Sequence, residues 1–340
     1  MYGSVELCAG AGGQARGLER AGFQHRALVE IDKHACATLR LNRPEWNVIE
    51  GDLHTWDPSP YKGVDLLAGG VPCPPFSIAG KQLGELDERE LFGRALEIVK
   101  IVKPRGVMLE NVRGLMEPKF DAFREKVSNK LRRMGYSPQW KLLQASDFGV
   151  PQLRPRVICV ALKPSDMKHF VWPQPDGVKP PTVGEVLEDL MASRGWKGAQ
   201  DWAKKADSIA PTLVGGSKKH GGADLGPTRS KRAWAVMGVN GGGVADDAPD
   251  ESEPATFEPK LTVRMAARIQ GFEDDWQFEG GKTAAYRQVG NAFPPPVAQA
   301  VGEAIIEDEA SASYAVRQCR ELVDGKRLKD ITDLPLDLSV

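Results

Sequence analysis

The first 165 residues alternate short apolar runs with longer amphipathic segments. Aliphatic runs of this length predict strands, and apolar residues at helical spacing predict helices. The predicted strands are SVELC (4–8), RALVE (26–30), NVIEGD (47–52), VDLLA (64–68), GVMLE (106–110) and RVICVAL (156–162). The predicted helices are GQARGLERAG (13–22), DKHACATLRLN (32–42), RELFGRALEIVKIVK (89–103) and AFREKVSNKLRRMG (122–135). Such alternation is typical of a doubly wound, mostly parallel sheet in an α/β, Rossmann-like fold.

The pattern changes after residue 173. Residues 174–260 are rich in glycine and proline and contain few periodic segments, whereas helical spacing returns in 261–272 and 294–310. We therefore expect a smaller, irregular, β-containing domain at 174–260. Residues 1–173 and 261–340 are expected to form the larger domain together.

Composition narrows the class of protein. The chain has 340 residues, 41% of them hydrophobic and 27% charged, with a net charge of −1. It contains no apolar run long enough for a membrane span and no secretion signal at its start, so we expect a cytoplasmic protein. The five cysteines form no CxxC pair and the five histidines show no ligand spacing. This argues for a reducing compartment, without disulfides or a metal site.

Charge is unevenly distributed in the second half. Residues 215–234 carry five Lys or Arg against one Asp, and residues 246–258 carry six acids and no base. The two segments are either solvated loops or a basic recognition loop next to an acidic turn.

Several polar or flexible features follow the predicted strands, where doubly wound sheets bind ligands. Residues 10–15, GAGGQA, fit the GxGxxA form of the dinucleotide fingerprint, and Glu30 lies twenty residues past Gly10. An acid there binds ribose hydroxyls, so NAD, FAD and S-adenosylmethionine all fit. A tight turn without a ligand is the alternative. Asp52 either bonds an adenine amino group or is a plain turn aspartate.

A second group of residues suggests a reaction. Cys73 lies among three prolines in GGVPCPPFS, and a polar, glycine-containing segment, 77–92, follows it as a candidate mobile lid. Glu110 ends a predicted strand, and Arg154 and Arg156 enter another at a spacing that shares one face. The alternatives are a core cysteine, a surface acid and two solvated arginines. Together, a thiol, a carboxylic acid and two guanidinium groups suit attack on an electron-poor heterocycle.

These motifs resemble those of the cytosine-C5 DNA methyltransferases of bacteria and phages, which use S-adenosylmethionine. The resemblance covers most of the chain in the family's order. The motifs are ELCAGAGG (6–13), GGVPCPPFSIAGKQ (69–82), ENV (110–112), QLRPR (152–156), LTVRMAARIQGF (261–272) and QVGNAFPPPVAQAVG (288–302). Three positions depart from the family pattern, and the first is Glu6, where the family usually has aspartate. Cys8 replaces the phenylalanine that packs on adenine, and Pro74 replaces a frequent glutamine.

The resemblance implies a role for each matching residue, and it makes 174–260 the target-recognition domain. The implied catalytic residues are Cys73, Glu110, Arg154 and Arg156. The implied cofactor-binding residues are Cys8, Ala9, Gly10, Gly12, Gly13, Glu30, Ile31, Asp52, Leu53, Pro72, Asn291 and Ala292. The implied DNA-contacting residues are Ser77, Lys81, Gln82, Arg89, Lys218, Lys219, Arg229, Lys231 and Arg232.

The implied reaction begins with a cytosine flipped out of duplex DNA. The Cys73 thiolate adds to C6, protonated Glu110 hydrogen-bonds N3, and Arg156 bonds the C2 carbonyl oxygen while Arg154 supports the pocket or contacts phosphate. C5 then takes the methyl group of S-adenosylmethionine, and loss of the C5 proton expels Cys73. The resemblance further implies a monomer that methylates a specific double-stranded DNA sequence, with a restriction endonuclease as a possible partner.

Three rival functions remain open at this stage. The first is a tRNA cytosine-C5 methyltransferase of the same fold, and the sizeable glycine-rich and basic segment favours DNA over it. The second is a nucleotide-binding oxidoreductase, which leaves Cys73 unexplained. The third is a catalytically silent DNA-binding scaffold, which would have no need of the thiol.

Overall fold

The fold centres on one seven-stranded sheet with helices on both sides. The computed structural model describes residues 2–72, 85–175, 177–215 and 223–306, without the side chains of 85–90. The strands are β1 (Tyr2–Leu7), β2 (Phe23–Glu30), β3 (Val48–Glu50), β4 (Leu66–Gly69), β5 (Gly106–Val112), β6 (Ser137–Gln144) and β7 (Pro155–Leu162). The α/β class expected from the alternating pattern is confirmed.

The strand order is β3-β2-β1-β4-β5-β7-β6. Strands β1 to β5 pair in parallel, and β7 runs antiparallel to both of its neighbours, β5 and β6. The sheet is thus mostly parallel, as predicted. Strand β6 was not predicted, because SPQWKLLQ contains a proline and no β-branched residue and lies partly exposed at the sheet edge.

The described residues form eleven α-helices. They are α1 (Gly13–Arg20), α2 (Lys33–Asn42), α3 (Glu85–Val102), α4 (Asp121–Arg133), α5 (Pro164–Met167), α6 (Val183–Ala192), α7 (Ala199–Lys205), α8 (Thr228–Val236), α9 (Val263–Gln270), α10 (Lys282–Asn291) and α11 (Pro295–Ile306). Helix α3 begins inside the expected lid, so the second half of that segment is helical. Within the described ranges, no helix is both long and apolar enough to cross a bilayer.

Helix α11 packs against α1 at close range. A Cβ on Gly17 would lie 2.3 Å from the carbonyl oxygen of Pro295, so only glycine allows this approach. The contact places α11 beside α1, and the assignment of 261–340 to the larger domain stays a prediction.

The segment 174–260 is mostly irregular where it is described, and helices are its main regular elements. It contains α6, α7 and α8, and its β character is limited to isolated bridges, for example between Ala245 and Thr262. Helix α6 begins with a capping box in which Thr182 and Glu185 bond each other's backbone amides. The side chains of Trp202 and Trp234 share one apolar cluster with residues of α9. The domain boundary near residue 260 therefore stays a prediction.

The acidic segment 246–258 pairs with cations outside the basic segment. Arg194 lies 3.0 Å from Asp247 and 3.7 Å from Asp250, and Lys282 lies 2.7 Å from Asp246. In the basic segment, Lys231 pairs with Asp224. The described residues thus show no ion pair between the two segments.

Candidate functional site

A cavity of about 1220 Å³ opens at the carboxyl ends of β1, β2, β4 and β5. The sheet order reverses between β1 and β4, and such a switch point is where open α/β sheets bind ligands. Two segments from the second half of the chain complete the wall, 212–215 and 290–293. Every predicted cofactor-binding residue except Gly12 lines this cavity.

The glycine turn between β1 and α1 forms one wall. Gly10 and Gly12 have φ of 55° and 86°, in the left-handed region that favours glycine. A Cβ on Gly13 would lie 2.3 Å from the carbonyl oxygen of Phe293. The turn therefore needs glycine both for its backbone shape and for its contact with the segment after α10.

Glu30 closes the turn from the end of β2. Its Oε2 accepts the Gly10 amide at 2.7 Å, and its Oε1 accepts the amides of Ile31 and Asp32, each at 2.8 Å. The carboxylate is nearly buried, with 9% exposed. Glu30 thus holds the glycine turn and faces the cavity at the same time.

The remaining cofactor candidates surround the same half of the cavity. Asp52 follows β3 and accepts the amide of His54, so it begins a turn and also lines the cavity. Leu53 is buried, whereas Ile31 is 68% exposed. Pro72 lies on the opposite wall, after β4. Ile31 and Leu53 are the apolar groups available where Cys8 replaces an aromatic ring.

Three cysteines lie in the described part of the chain, and burial raises the pKa of each thiol. Desolvation, together with the charge of Glu30, raises the pKa of Cys8 and Cys36 to about 12. Complete burial also raises the pKa of Cys159. A thiol with a raised pKa is protonated at neutral pH and is a weak nucleophile.

The other half of the cavity contains an acid and a guanidinium group. Arg156 lies opposite Val112 across the antiparallel β5–β7 pair, so it shares a face with Glu110, two residues earlier. Arg156 Nε lies 2.8 Å from Glu110 Oε1, and both side chains are about nine-tenths buried. Burial raises the pKa of Glu110, and the positive charge of Arg156 offsets part of this rise. Glu110 is therefore suited to carry a proton.

Arg154 occupies a different place from Arg156. Its guanidinium group is buried and donates to the carbonyl oxygens of Leu213 at 2.6 Å, Gly290 at 2.7 Å and Ala292 at 2.9 Å. It does not line the cavity. The two arginines were expected to face one substrate, but Arg154 lies before β7 begins and joins the two segments 212–215 and 290–293 behind the wall.

Buried amides extend this connection. Gln152 bonds Gln270 at 2.6 Å and accepts the amide of Leu213 at 2.9 Å, and Gln270 donates to the carbonyl of Ala292. The turn at Asn291 is thereby fixed next to residues 212–215. A Cβ on Gly215 would lie 2.2 Å from Asn291 Oδ1, so the two segments are in tight contact.

The C-5 cytosine-specific DNA methylase model matches residues 2–307. The chain belongs to this family. Its relatives include the Type II methyltransferase M.NaeI of Lentzea aerocolonigenes, 60% identical over 88% of this chain and 74% of the relative. M.NgoMIV of Neisseria gonorrhoeae is 56% identical over 90% of this chain and 98% of the relative. The Dnmt2 methyltransferase structure of S. pombe has a TM-score of 0.63 and 19% identity, covering 90% of this chain and 99% of that one.

Membership of this methylase family requires a methyl donor. Several residues assigned from the family motifs lie outside the described residues, and nothing structural is added for them. They are Cys73, Ser77, Lys81, Gln82, Lys218 and Lys219, together with the side chain of Arg89.

Three of the predicted DNA-contacting residues have described side chains, and all three lie on α8. Arg229 and Arg232 are exposed, whereas Lys231 is half-buried and lies 2.6 Å from Asp224. Among the described residues, Arg229 and Arg232 have no ion-pair partner, whereas Lys231 pairs with Asp224.

Sequence reasoning missed several wall residues of the methylase. They include Glu6, Gln14, Arg113, Thr212, Val214 and Arg287. Arg113 directly follows the ENV motif, and this position in the sequence could have predicted that it lines the cavity. Asn111, within ENV, donates to the carbonyl of Val71 at 2.8 Å and so joins the end of β5 to the segment before Pro72. Thr212 and Val214 carried no signal, because they follow an irregular part of the chain.

Proposed function

We propose that this protein is a DNA (cytosine-5)-methyltransferase that uses S-adenosylmethionine and acts on a flipped-out cytosine in a specific duplex sequence. One observation carries the proposal: the buried Glu110–Arg156 pair lies in the same cavity as the glycine turn and Glu30. A base bound at Glu110 and a nucleoside cofactor bound at Glu30 would share one enclosed space.

We call the part of the cavity around the glycine turn and Glu30 the cofactor half. Its residues fit S-adenosylmethionine. In this proposal, Glu30 would accept ribose hydroxyls, Asp52 would accept the adenine amino group, and Ile31 and Leu53 would cover the adenine ring. The glycine turn lets the backbone approach the rest of the ligand closely. When bound, this cofactor supplies the methyl group for C5.

We call the part of the cavity around Glu110 and Arg156 the base half. Its residues suit a cytosine. Protonated Glu110 would donate to N3 and stabilise the negative charge that develops when a thiolate adds to C6. Arg156 would bond the C2 carbonyl oxygen and hold Glu110 in place. The buried position of Arg154 favours a supporting role over contact with base or phosphate.

Cys73 is the proposed nucleophile. The three described cysteines have raised pKa values, so they do not supply a thiolate. Asn111 fixes the backbone two residues before Cys73 in sequence. After methyl transfer, loss of the C5 proton would expel the Cys73 sulfur and restore the aromatic ring.

Covalent trapping tests this proposal. DNA with 5-fluorocytosine at the target holds fluorine where the C5 proton leaves, so the adduct should survive a denaturing gel. Cys73→Ser should abolish trapping while cofactor binding remains, because a hydroxyl is scarcely ionised at neutral pH. Cys319→Ser, as control, should trap like the wild type. An adduct in the Cys73→Ser protein, or a trapped peptide containing another cysteine, would overturn the assignment.

The relatives favour DNA over tRNA as the substrate, since M.NaeI and M.NgoMIV are Type II methyltransferases. We infer a restriction-modification context and a cognate endonuclease on the same basis, while the monomeric state and the cytoplasmic location stay predictions from the sequence. Bisulfite mapping of a methylated plasmid identifies the recognition sequence. Equal or better methylation of tRNA than of duplex DNA would contradict the choice of substrate.

A further inference from the structure

Trp276 lies directly behind the glycine turn. It is 2% exposed, and its Nε1 donates to the carbonyl oxygen of Ala11 at 3.2 Å. A Cβ on Gly12 would lie 2.9 Å from the Trp276 ring. Trp276 does not line the cavity. The indole therefore contacts the turn on the side away from the ligand.

The turn needs such a restraint, because glycine gives its backbone unusual freedom. Gly10 and Gly12 flank Ala11, and both have left-handed φ angles. The Ala11–Gly12 peptide could reorient at low steric cost if nothing held its carbonyl. The N–H of this peptide donates to the carbonyl of Ala9 at 3.1 Å, and the Trp276 indole binds its carbonyl at the other side. The two bonds together set the direction of the peptide plane, and the indole supplies the one that comes from outside the turn.

The indole is itself held firmly. The Arg43 guanidinium carbon lies 5.2 Å from the Trp276 ring centroid and 5.8 Å from that of Trp46, as cation–π contacts. Phe272 packs against the same indole with ring centroids 6.0 Å apart. Arg264 donates to the carbonyl of Trp276. The ring is thus fixed by several elements before a ligand binds.

We infer that Trp276 is a positioning residue for the methyl donor. It acts on cofactor affinity by holding the Ala11–Gly12 peptide in the binding conformation, and it takes no part in the chemistry at the base. If the turn adopts this conformation in only a fraction of the molecules, the apparent affinity for the cofactor falls in proportion to that fraction. The inference rests on the proposed function, since it takes S-adenosylmethionine as the ligand of this cavity.

Trp276→Phe tests the inference, because it keeps an aromatic ring and removes the N–H donor. Calorimetry should show an S-adenosylmethionine Kd about 3- to 10-fold higher, the effect of one lost hydrogen bond. The KM for cofactor should rise by the same factor, whereas kcat at saturating cofactor and the KM for DNA should stay within about 2-fold. Replacing Trp276 by benzothienylalanine, which exchanges only the N–H for sulfur, gives the same test with the least disturbance of folding.

Trp202→Phe is the matched control. Trp202 is also buried and donates its Nε1 to a backbone carbonyl, that of Gly238 at 3.1 Å, but it lies away from the turn. The Trp202→Phe variant should lose about as much thermal stability as Trp276→Phe and keep the wild-type Kd for S-adenosylmethionine. An unchanged Kd in both Trp276 variants would overturn the inference, as would an equal loss of affinity in Trp202→Phe. Failure of the wild type to bind S-adenosylmethionine would instead contradict the proposed function.

Discussion

The two halves of the cavity each present a carboxylate at a strand end, but they hold it differently. Glu30 accepts three backbone amides from residues close to it in the fold. Glu110 pairs with one guanidinium group from an antiparallel strand. Backbone amides leave Glu30 as an acceptor only, which suits hydroxyl and amino groups of a cofactor. Burial raises the pKa of Glu110, which suits a group that donates a proton.

Glu110→Gln should produce the largest loss. Activity should fall about 10²- to 10⁴-fold, the usual contribution of a positioned acid, because the amide has no comparable proton to give. S-adenosylmethionine affinity should stay unchanged, since Glu30 binds in the other half. Glu117→Gln, an exposed acid that follows β5 in the chain, is the control. A parallel loss of cofactor affinity would show that the two halves are not separate.

The same residue should set a pH dependence. The pKa of Glu110 is raised above its ordinary value of 4.5, so more of it is protonated at a given pH, and activity should fall as pH rises through the raised value. The contribution of Glu110 to the free energy of unfolding depends on pH in the same direction. Because its folded pKa is raised, this contribution is fully present below pH 4.5 and is lost as pH rises through the folded pKa. Glu110→Gln should remove this dependence in pH-rate profiles and urea unfolding curves.

Arg154→Lys and Arg156→Lys should separate a residue that stabilises the fold from one that acts on the substrate. Arg154→Lys should lower the free energy of unfolding by about 2–4 kcal/mol, because an ammonium group cannot bond three carbonyls at the places the guanidinium does. Arg156→Lys should reduce activity more than stability. Urea unfolding and initial rates measure both. If Arg154→Lys is as stable as wild type but inactive, Arg154 belongs to the reacting half.

Glu30→Ala should weaken S-adenosylmethionine binding by about 2–3 kcal/mol, the range of a charge-assisted hydrogen-bond pair. The turn also loses its contact with Gly10, so the affinity loss should exceed any change in kcat. Glu50→Ala is a matched control, because Glu50 stands beside Glu30 in the β2–β3 register and is exposed. Equal affinity of the two variants by calorimetry would remove Glu30 from the site.

The smallest effect is expected on α8. Arg229→Ala and Arg232→Ala should each weaken DNA binding and reduce the salt dependence of log K by about 1 if they contact phosphate, or change site preference if they contact bases. Lys231→Ala should do less, because Asp224 already neutralises that charge. An effect of Lys231→Ala as large as that of the arginines would show that the pair opens on DNA.

Much of the cofactor half could be predicted from the sequence. Gly10, Glu30 and Asp52 follow strands whose apolar runs are easy to see, and parallel strands bring their carboxyl ends to one edge. The base half was harder. The spacing of Arg154 and Arg156 placed both on one face, but that rule holds inside a strand, and Arg154 precedes β7.

Periodicity thus determined six of the seven strands, all but the edge strand β6, and the order of the site motifs along the chain, because hydrophobic spacing reports local structure directly. Only the tertiary structure decided that Arg154 bonds three carbonyls in two backbone segments, that Lys231 pairs with Asp224, and that Trp276 lies against the glycine turn. These contacts join residues far apart in the chain, such as Trp276 and Ala11. Their partners are chosen by packing and by the need of buried polar groups for hydrogen bonds, which no local pattern of residues records.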